Sequence, residues 1–320
     1  MRNILFFTRV DRVALISEIR KYIEENCLNC KVVILSDNMY CPSQHFADEF
    51  ILLPSKNNKY ISEFLKDIII KNQIKGLFVA SNFDIEFILE IEKWLINKGI
   101  VYFAPIRKTL KICISKKKIF KFLSQNKILT PCIYDYSYLL KKIDIKNLKY
   151  PLVLKPDIGQ GSYNVHTIHN FDEFQYFYRR IEKPIIQQYI SGEHYTIDCF
   201  NNLKKQLKIY VPRKRLVVER SHSSVSELIN DEVIKELAFS LSNKLFITGM
   251  WNFQLIKNAD GYFIYDINPR LASGLIYSIV SGIYFQKYIV DSLLGRNISN
   301  WDYIIPNGNV ISEYKSYKTI

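Results

Sequence analysis

Residues 261–270 read GYFIYDINPR, and in them an acid, an amide and a cation, Asp266, Asn268 and Arg270, recur at every second position. Successive side chains of a strand point to opposite faces, so the three share one face, with Ile264 as their apolar neighbour in phase. The preceding GMWNFQLIKNAD has the content of a partner strand, and a hairpin joins the two. With Ala259, Asp260 and Gly261 as a three-residue loop, Asn258 pairs with Tyr262 and Gln254 falls opposite Asp266. Gln254, Asp266 and Asn268 then offer three oxygen donors around one point, with Arg270 beside them. Oxygen-only ligation suits Mg2+, which keeps waters and takes one or two carboxylates together with phosphate oxygens. A loop one residue longer or shorter turns Gln254 to the other face, and the solvent-facing side of an antiparallel sheet would carry the same polar alternation.

Two further stretches hold groups that ask for a partner. In PLVLKPDIGQGSYNV, Lys155 ends an apolar strand, a costly place for a charge unless an anion meets it. Gly159 and Gly161 would let backbone N–H groups approach a phosphate, although a tight turn asks for the same glycines. The stretch is no Walker A loop, because GxxxxGK[ST] is missing and a strand follows. In IIQQYISGEHYTID an apolar strand leaves through a Ser-Gly turn into another strand, and its backbone could pair with the edge of a purine.

The first hundred residues alternate strand-length apolar runs (NILFFT, KVVILS, GLFVAS, IVYFAP) with helically spaced segments, which predicts about four parallel strands in a Rossmann-like layer ending near Pro105. Its first turn, TRVDR, lacks GxGxxG, but Arg9 and Arg12 there sit at the carboxyl ends of strands, where α/β proteins bind ligands. SKKKIFKFLSQNK is an amphipathic helix, and Lys141–Asn147 a linker or exposed segment. LKIYVPRKRLVVERS predicts a pair of strands followed by the polar loop SHSSVSE. Its Arg213, Arg215 and Arg220 could meet an acidic substrate or line a solvated edge.

Composition narrows the function. The 320 residues, 48% apolar and 14% aromatic, suffice for two domains with cores. No apolar run reaches the ~18–20 residues of a membrane span, and MRNILFFTRVDR breaks into charge too early for a signal peptide, so a soluble cytoplasmic protein is expected. Six scattered cysteines are expected to be reduced, and the lone Cys27-x-x-Cys30 lacks a second pair for zinc. The net charge of +13 comes from lysines spread along the chain, with KKK at 116–118 the only sharp run, which fits a solvated surface better than a nucleic-acid footprint. No Ser/His/Asp triad or catalytic cysteine is readable, and the five histidines fit packing or surface roles.

In their order and spacing, the three constellations resemble the ATP-grasp superfamily, in particular the ATP-grasp modules of the carbamoyl phosphate synthetase large subunit and the pyrrolysine-pathway ligase. The resemblance covers nearly the whole chain. It implies a mixed α/β and α+β fold, with a Rossmann-like pre-ATP-grasp domain over 1–104 and a two-part ATP-grasp fold over 105–320. Within the latter, a small lid subdomain takes about 105–186 and a C-terminal subdomain about 187–320. Lys116 and Lys155 match the lysines that hold nucleotide phosphates, and the loop with Gly159, Gly161 and Ser162 the one that closes over them. Gln188, Tyr189 and Ile190 would face adenine. Gln254, Asp266 and Asn268 match the metal ligands, and Arg270 the cation near the transferring phosphate, so Lys155 and Arg270 are the implied catalytic cations.

The chain departs from the family where Gln188, His194 and Asp266 replace commoner glutamates, which passes the ribose contact to Glu193 or His194. The resemblance implies ATP and Mg2+ as cofactors, with Mn2+ as an alternative. It implies a small-molecule carboxylate and an amine joined through an acyl phosphate; the arginine-bearing strand pair offers Arg213 and Arg215 as substrate candidates. No nucleic acid and no membrane partner is expected, and a homodimer stays open. Carbamoyl-phosphate-synthetase-like carboxyphosphate or kinase chemistry, and a non-catalytic ATP-binding switch, are the alternatives.

Overall fold

The computed structural model describes residues 3–9, 11–54, 60–134, 149–159, 161–219, 222–298 and 302–313. Its first part runs β1 (Asn3–Phe7), α1 (Val13–Glu25), β2 (Val32–Ser36), β3 (Glu49–Leu52), α2 (Ile61–Lys71), β4 (Ile74–Val79), α3 (Asn82–Glu90), α4 (Glu92–Asn97) and β5 (Val101–Tyr102). The strands form one parallel sheet in the order β3-β2-β1-β4-β5. β1 and β2 are buried along their whole length because cores cover both faces. Ile4 and Phe6 pack with Leu15, Ile16 and Ile19 of α1, while Leu5 and Phe7 pack with Leu65 of α2 and Ile88 of α3. β3 adds a fifth strand to the four expected; at the edge and half-buried, its EFIL carries no continuous apolar signal.

Next come α5 (Arg107–Cys113), α6 (Lys116–Gln125), β6 (Ile133–Tyr134), β7 (Leu152–Pro156), β8 (His166–Ile168), α7 (Phe171–Tyr178) and β9 (Pro184–Gln188). Their strands make a small antiparallel sheet in the order β6-β9-β7-β8. Leu152, Leu154, Ile168 and Ile186 of this sheet bury against Phe174 of α7. The expected linker Lys141–Asn147 lies outside the described residues.

The last part runs β10 (Glu193–Asn201), β11 (Leu207–Glu219), β12 (His222–Leu228), α8 (Glu232–Leu245), β13 (Gly249–Asn258), β14 (Gly261–Asn268), α9 (Leu275–Val280), α10 (Phe285–Leu293) and β15 (Val310–Ser312). Here the sheet is antiparallel, in the order β14-β13-β10-β11-β12-β15. One face buries Tyr195, Ile197, Trp251 and Phe253 against Ile234 and Leu241 of α8 and against Cys113, Ile119 and Leu123. α5 and α6 therefore pack with this sheet, whereas the expected lid boundary near residue 105 groups them with the small one. Phe200, Ile209 and Val211 join Ile4, Phe6, Leu275 and Leu293 in one core shared with the parallel sheet. β4 runs so close to α10 that a Cβ on Gly76 would meet the Leu293 carbonyl oxygen at 2.8 Å.

The expected architecture, a parallel α/β layer followed by antiparallel sheets with helices, is the observed one. One local expectation fails: LKIYVPRKRLVVERS holds a single 13-residue strand, β11, and the polar loop after it is strand β12. Pro212 does not break β11, because it lies where β12 has just ended and its carbonyl still accepts from the Ile229 N–H at 3.1 Å. Arg220 lies outside the described residues.

The sheet is pinned to α9 by a buried ion pair. The Arg213 guanidinium donates to Asp198 at 2.7 Å from Nε and 3.3 Å from Nη2, and Ser278 Oγ of α9 donates to the same carboxylate at 2.9 Å. Both charges are sealed from water, with side-chain exposures of 2% and 0%. Asp198→Ala, which strands the guanidinium, is expected to cost about 3–5 kcal/mol of stability. Chemical denaturation measures it, and an unchanged midpoint would refute the assignment.

Candidate active site

The hairpin reaches the expected register by an unexpected route. Asn258 pairs with Gly261 and Lys257 with Tyr262, so the turn has two residues, Ala259 and Asp260, instead of three. Continued without a break, this register would set Gln254 opposite Tyr265. A bulge intervenes: Leu255 pairs with Ile264, but Gln254 pairs with Asp266 and Asn252 with Asn268. The bulge also breaks the assumed phase. Ile264 and Ile267 both enter the core under the sheet, while Phe263 and Tyr265 pack with Ile190 and Ile256 on the other side. Ile264 is therefore not the neighbour of Asp266; Tyr265 is.

The polar row is enclosed, which excludes a plain solvated face. Asn268 and Asn252 are 7% and 1% exposed. Asn268 Nδ2 donates to Asp266 Oδ2 at 2.8 Å and to Asn252 Oδ1 at 3.5 Å, while Asn252 Nδ2 donates to the Arg270 carbonyl at 2.7 Å. Asn252, overlooked in the sequence, thus fixes both Asn268 and the turn carrying Arg270. The donor set is one carboxylate and two amides, all hard oxygens, which fits Mg2+ arriving with phosphate oxygens rather than a cage that holds the ion alone. Among the described residues no cluster of three or more His, Cys, Asp or Glu could hold a metal.

Lys155 meets this row from the small sheet. It is 5% exposed, with Nζ 5.3 Å from the Phe120 ring centroid and 5.9 Å from that of Tyr265. Burial drives its pKa down to about 7, with Asp266 opposing the shift and Lys116 adding to it. Lys116 is set beside it by the start of α6. Asp157, just beyond β7, accepts from the Lys117 N–H at 2.8 Å and from Ser115 Oγ at 2.9 Å. The Lys116 N–H donates to the Asp157 carbonyl at 3.0 Å, and Lys116 Nζ to the Gly159 carbonyl at 2.9 Å. Beyond it, Gly161 and Ser162 take positive φ of 67° and 55°, and a Cβ on Gly161 would meet only open space. Burial also lowers the pKa of Arg270, which Asp266 partly restores. Its Nη1 donates to the Leu271 carbonyl at 2.9 Å.

On β9 it is Gln187, next to the expected Gln188, that shares a face with Lys155. Gln187 is 4% exposed and shares with Ile185 and Lys155 the face turned away from the small core, because Val153 pairs with Gln187 and Lys155 with Ile185. Its Oε1 is buried without a hydrogen-bond partner among the described residues. Gln188 Oε1 instead accepts from the Cys132 N–H at 3.2 Å, so its side chain clips the strand crossing into the small sheet. Tyr189 is exposed, and Ile190 belongs to the apolar cluster with Ile256 and Phe263.

Strand alternation also separates Glu193 from His194. Glu193 accepts from Lys214 Nζ at 2.5 Å and from the Tyr195 hydroxyl at 2.6 Å, on the side of Tyr195. His194 faces the other way, edge-on to Tyr265 at 6.0 Å, with its pKa lowered by desolvation and by Arg215. Burial pushes the Tyr265 phenol up to about 12, opposed by Arg215, which hydrogen-bonds it. Of the two substrate candidates, Arg215 thus reaches the seam between the sheets, whereas Arg213 is sunk in its pair with Asp198 and covered by Gly274, whose Cβ would lie 2.8 Å from Nη1.

Comparison with known proteins adds lineage to this geometry. A family profile described as "ATP-grasp in the biosynthetic pathway with Ter operon" matches residues 180–313. Coenzyme gamma-F420-2:alpha-L-glutamate ligase of Methanocaldococcus jannaschii is 27% identical over 216 residues, covering 62% of this chain and 71% of that protein. The carbamoyl phosphate synthase large chain of Clostridium acetobutylicum is 24% identical over 177 residues, 50% of this chain but 16% of that one. Among solved structures, the biotin carboxylase domain of Hydrogenobacter thermophilus 2-oxoglutarate carboxylase, in complex with MgADP, superposes with a TM-score of 0.74 over 93% of this chain and 71% of its own, at 14% identity. Among the described residues no helix is long and apolar enough to cross a membrane. Its profile match over residues 180–313 and its relatives agree in making the chain similar to ATP-grasp enzymes.

Proposed function

We propose that this protein is an ATP- and Mg2+-dependent ligase that activates a small carboxylate as an acyl phosphate for attack by an amine. The observation that carries the proposal is the meeting of Lys155, from one antiparallel sheet, with Asp266 and its neighbours Asn268 and Arg270, from the other. Lys155 is buried where its charge is disfavoured, and a triphosphate laid along the seam would supply the anion that restores it. Lys116 stands over the same place, with its Nζ on the Gly159 carbonyl. Gln187 presents its unpaired carboxamide oxygen to the exocyclic amine of adenine, the Gln188–Ile190 backbone follows the purine edge, and His194 takes the ribose. Gln254, Asp266 and Asn268 would hold Mg2+, or Mn2+ in its place, which supplies charge neutralisation on the phosphate oxygens. Lys155 and Arg270 hold the acceptor carboxylate in line with the γ-phosphate and absorb charge on the equatorial oxygens; neither needs to move a proton.

Phosphorylation turns a carboxylate oxygen into a leaving group, so that an amine completes the C–N bond. The ligase named among the relatives supports this over carboxyphosphate or kinase chemistry. Release of ADP and phosphate from MgATP, followed with pools of amino acids and small acids, tests it. One pool is expected to raise ADP release at least tenfold and to yield an amide. ATP binding with silence in every pool would favour a non-catalytic switch.

A further inference from the structure

The first turn of the parallel sheet brings a second guanidinium toward that of Arg270. Arg12 directly precedes α1, and α1 packs against α9 and α10, the helices that follow Arg270 in the chain. Arg270 is close enough to disfavour the Arg12 cation: burial first, and Arg270 second, lower the Arg12 pKa to about 10. Arg12 Nε is buried and meets no hydrogen-bond acceptor among the described residues. Asp11 opposes the shift, but its Oδ1 already accepts from Ser43 Oγ at 2.5 Å. Arg9, the other arginine of the turn, is differently placed: Nε lies 2.9 Å from Asp84, and the guanidinium carbon 5.3 Å from the Phe87 ring centroid.

Guanidinium groups keep their protons, so two half-buried ones brought together repel unless an anion lies between them. A planar carboxylate suits such a pair, because it accepts two parallel N–H bonds from one fork and leaves lone pairs for the other. We infer that Arg12 anchors the acceptor substrate, forming with Arg270 a two-guanidinium clamp on the carboxylate of a small organic acid at the junction of the parallel sheet and the ATP-grasp core. The clamp deepens the ligase reading and rests on it for the identity of the anion. It also assigns the rest of the acid to the side of the parallel sheet, whose first turn then shapes which acids enter.

The test reads binding without turnover. With Mg2+ and a non-hydrolysable ATP analogue present to fill the phosphate positions, the thermal midpoint of the whole chain is followed against acetate. Chloride holds ionic strength constant, acetamide serves as the neutral isostere, and inorganic phosphate as a second anion. Acetate and not acetamide is expected to stabilise the wild type. Arg12→Gln is expected to weaken the apparent acetate affinity at least tenfold with nucleotide affinity unchanged, and Arg12→Lys to keep part of the response. The clamp is overturned by a wild type indifferent to acetate, by a full acetate response in Arg12→Gln, by equal loss in nucleotide affinity, or by stabilisation with phosphate alone. An enzyme that meets every expectation here yet joins no acid to an amine sinks the ligase reading and leaves the clamp standing.

Discussion

Lys155→Met is expected to reduce MgATP-dependent ADP release by about 10²–10³-fold, the usual effect of losing one preorganised charge-stabilising donor, while leaving the chain folded. The two halves of this result come from one cause. Lys155 is 5% exposed between Phe120 and Tyr265, and burial takes its pKa to about 7. The folded protein therefore disfavours the charge that the proposed catalysis uses. Because the pKa lies below the unfolded value of about 10.5, the unfolded chain binds more protons between those limits, and wild-type stability rises with pH across the window. Below pH 7 the penalty is fully present, so the methionine variant should be the more stable there by a few kcal/mol, since a tenfold change in proton affinity is worth ~1.4 kcal/mol. It should lose that lead toward pH 10. Denaturation midpoints at pH 6 and pH 9.5, set beside turnover at pH 7.5, check both halves. A variant that loses stability at pH 6 would show that the lysine is a structural cation.

Removing the acid and the amide of the polar row should have an effect of similar size by a different route. In Asp266→Asn combined with Asn268→Ala, the only carboxylate of the donor set and its hydrogen-bonded neighbour are both lost. ADP release is expected to fall about 10³-fold, equivalent to ~4 kcal/mol of transition-state stabilisation. Metal-free ADP should bind as before, because the purine contacts proposed on Gln187 to Ile190 lie at the end of β9 and just beyond it, away from β14. Titrating Mg2+ at fixed ATP separates the outcomes: the wild type should show steep metal dependence and the variant almost none. Equal metal dependence in both would remove Gln254, Asp266 and Asn268 as the metal site.

What could be read from the residues was what depends on local period. The every-second-residue spacing of Asp266 and Asn268, the charge ending VLKP, and the alternation of the first hundred residues all survive folding, because each follows from one strand or helix by itself. What could not be read depends on two strands at once. Gln187 and Gln188 are adjacent and identical, and only the pairing of β9 with β7 decides which faces Lys155. Arg213 and Arg215 look alike on β11, yet one is neutralised by Asp198 from β10 and the other reaches Tyr265 of β14. Arg9 and Arg12 share the first turn, and they are told apart only once α1 lies against α9 and Arg9 pairs with Asp84.

The hairpin of β13 and β14 has a consequence for recognising distant relatives. Its two-residue turn and its single bulge at Tyr265 cancel each other, so that Gln254 still faces Asp266. What selection must hold constant is the sum of turn and bulge residues, not either number alone. An insertion in the turn is silent when the bulge is deleted in the same lineage, and breaks the Gln254–Asp266 pairing when it is not. Hairpins of this kind can therefore drift in outline while their facing side chains stay in register, and alignments that place the gap in the turn alone will misassign the residue at the bulge.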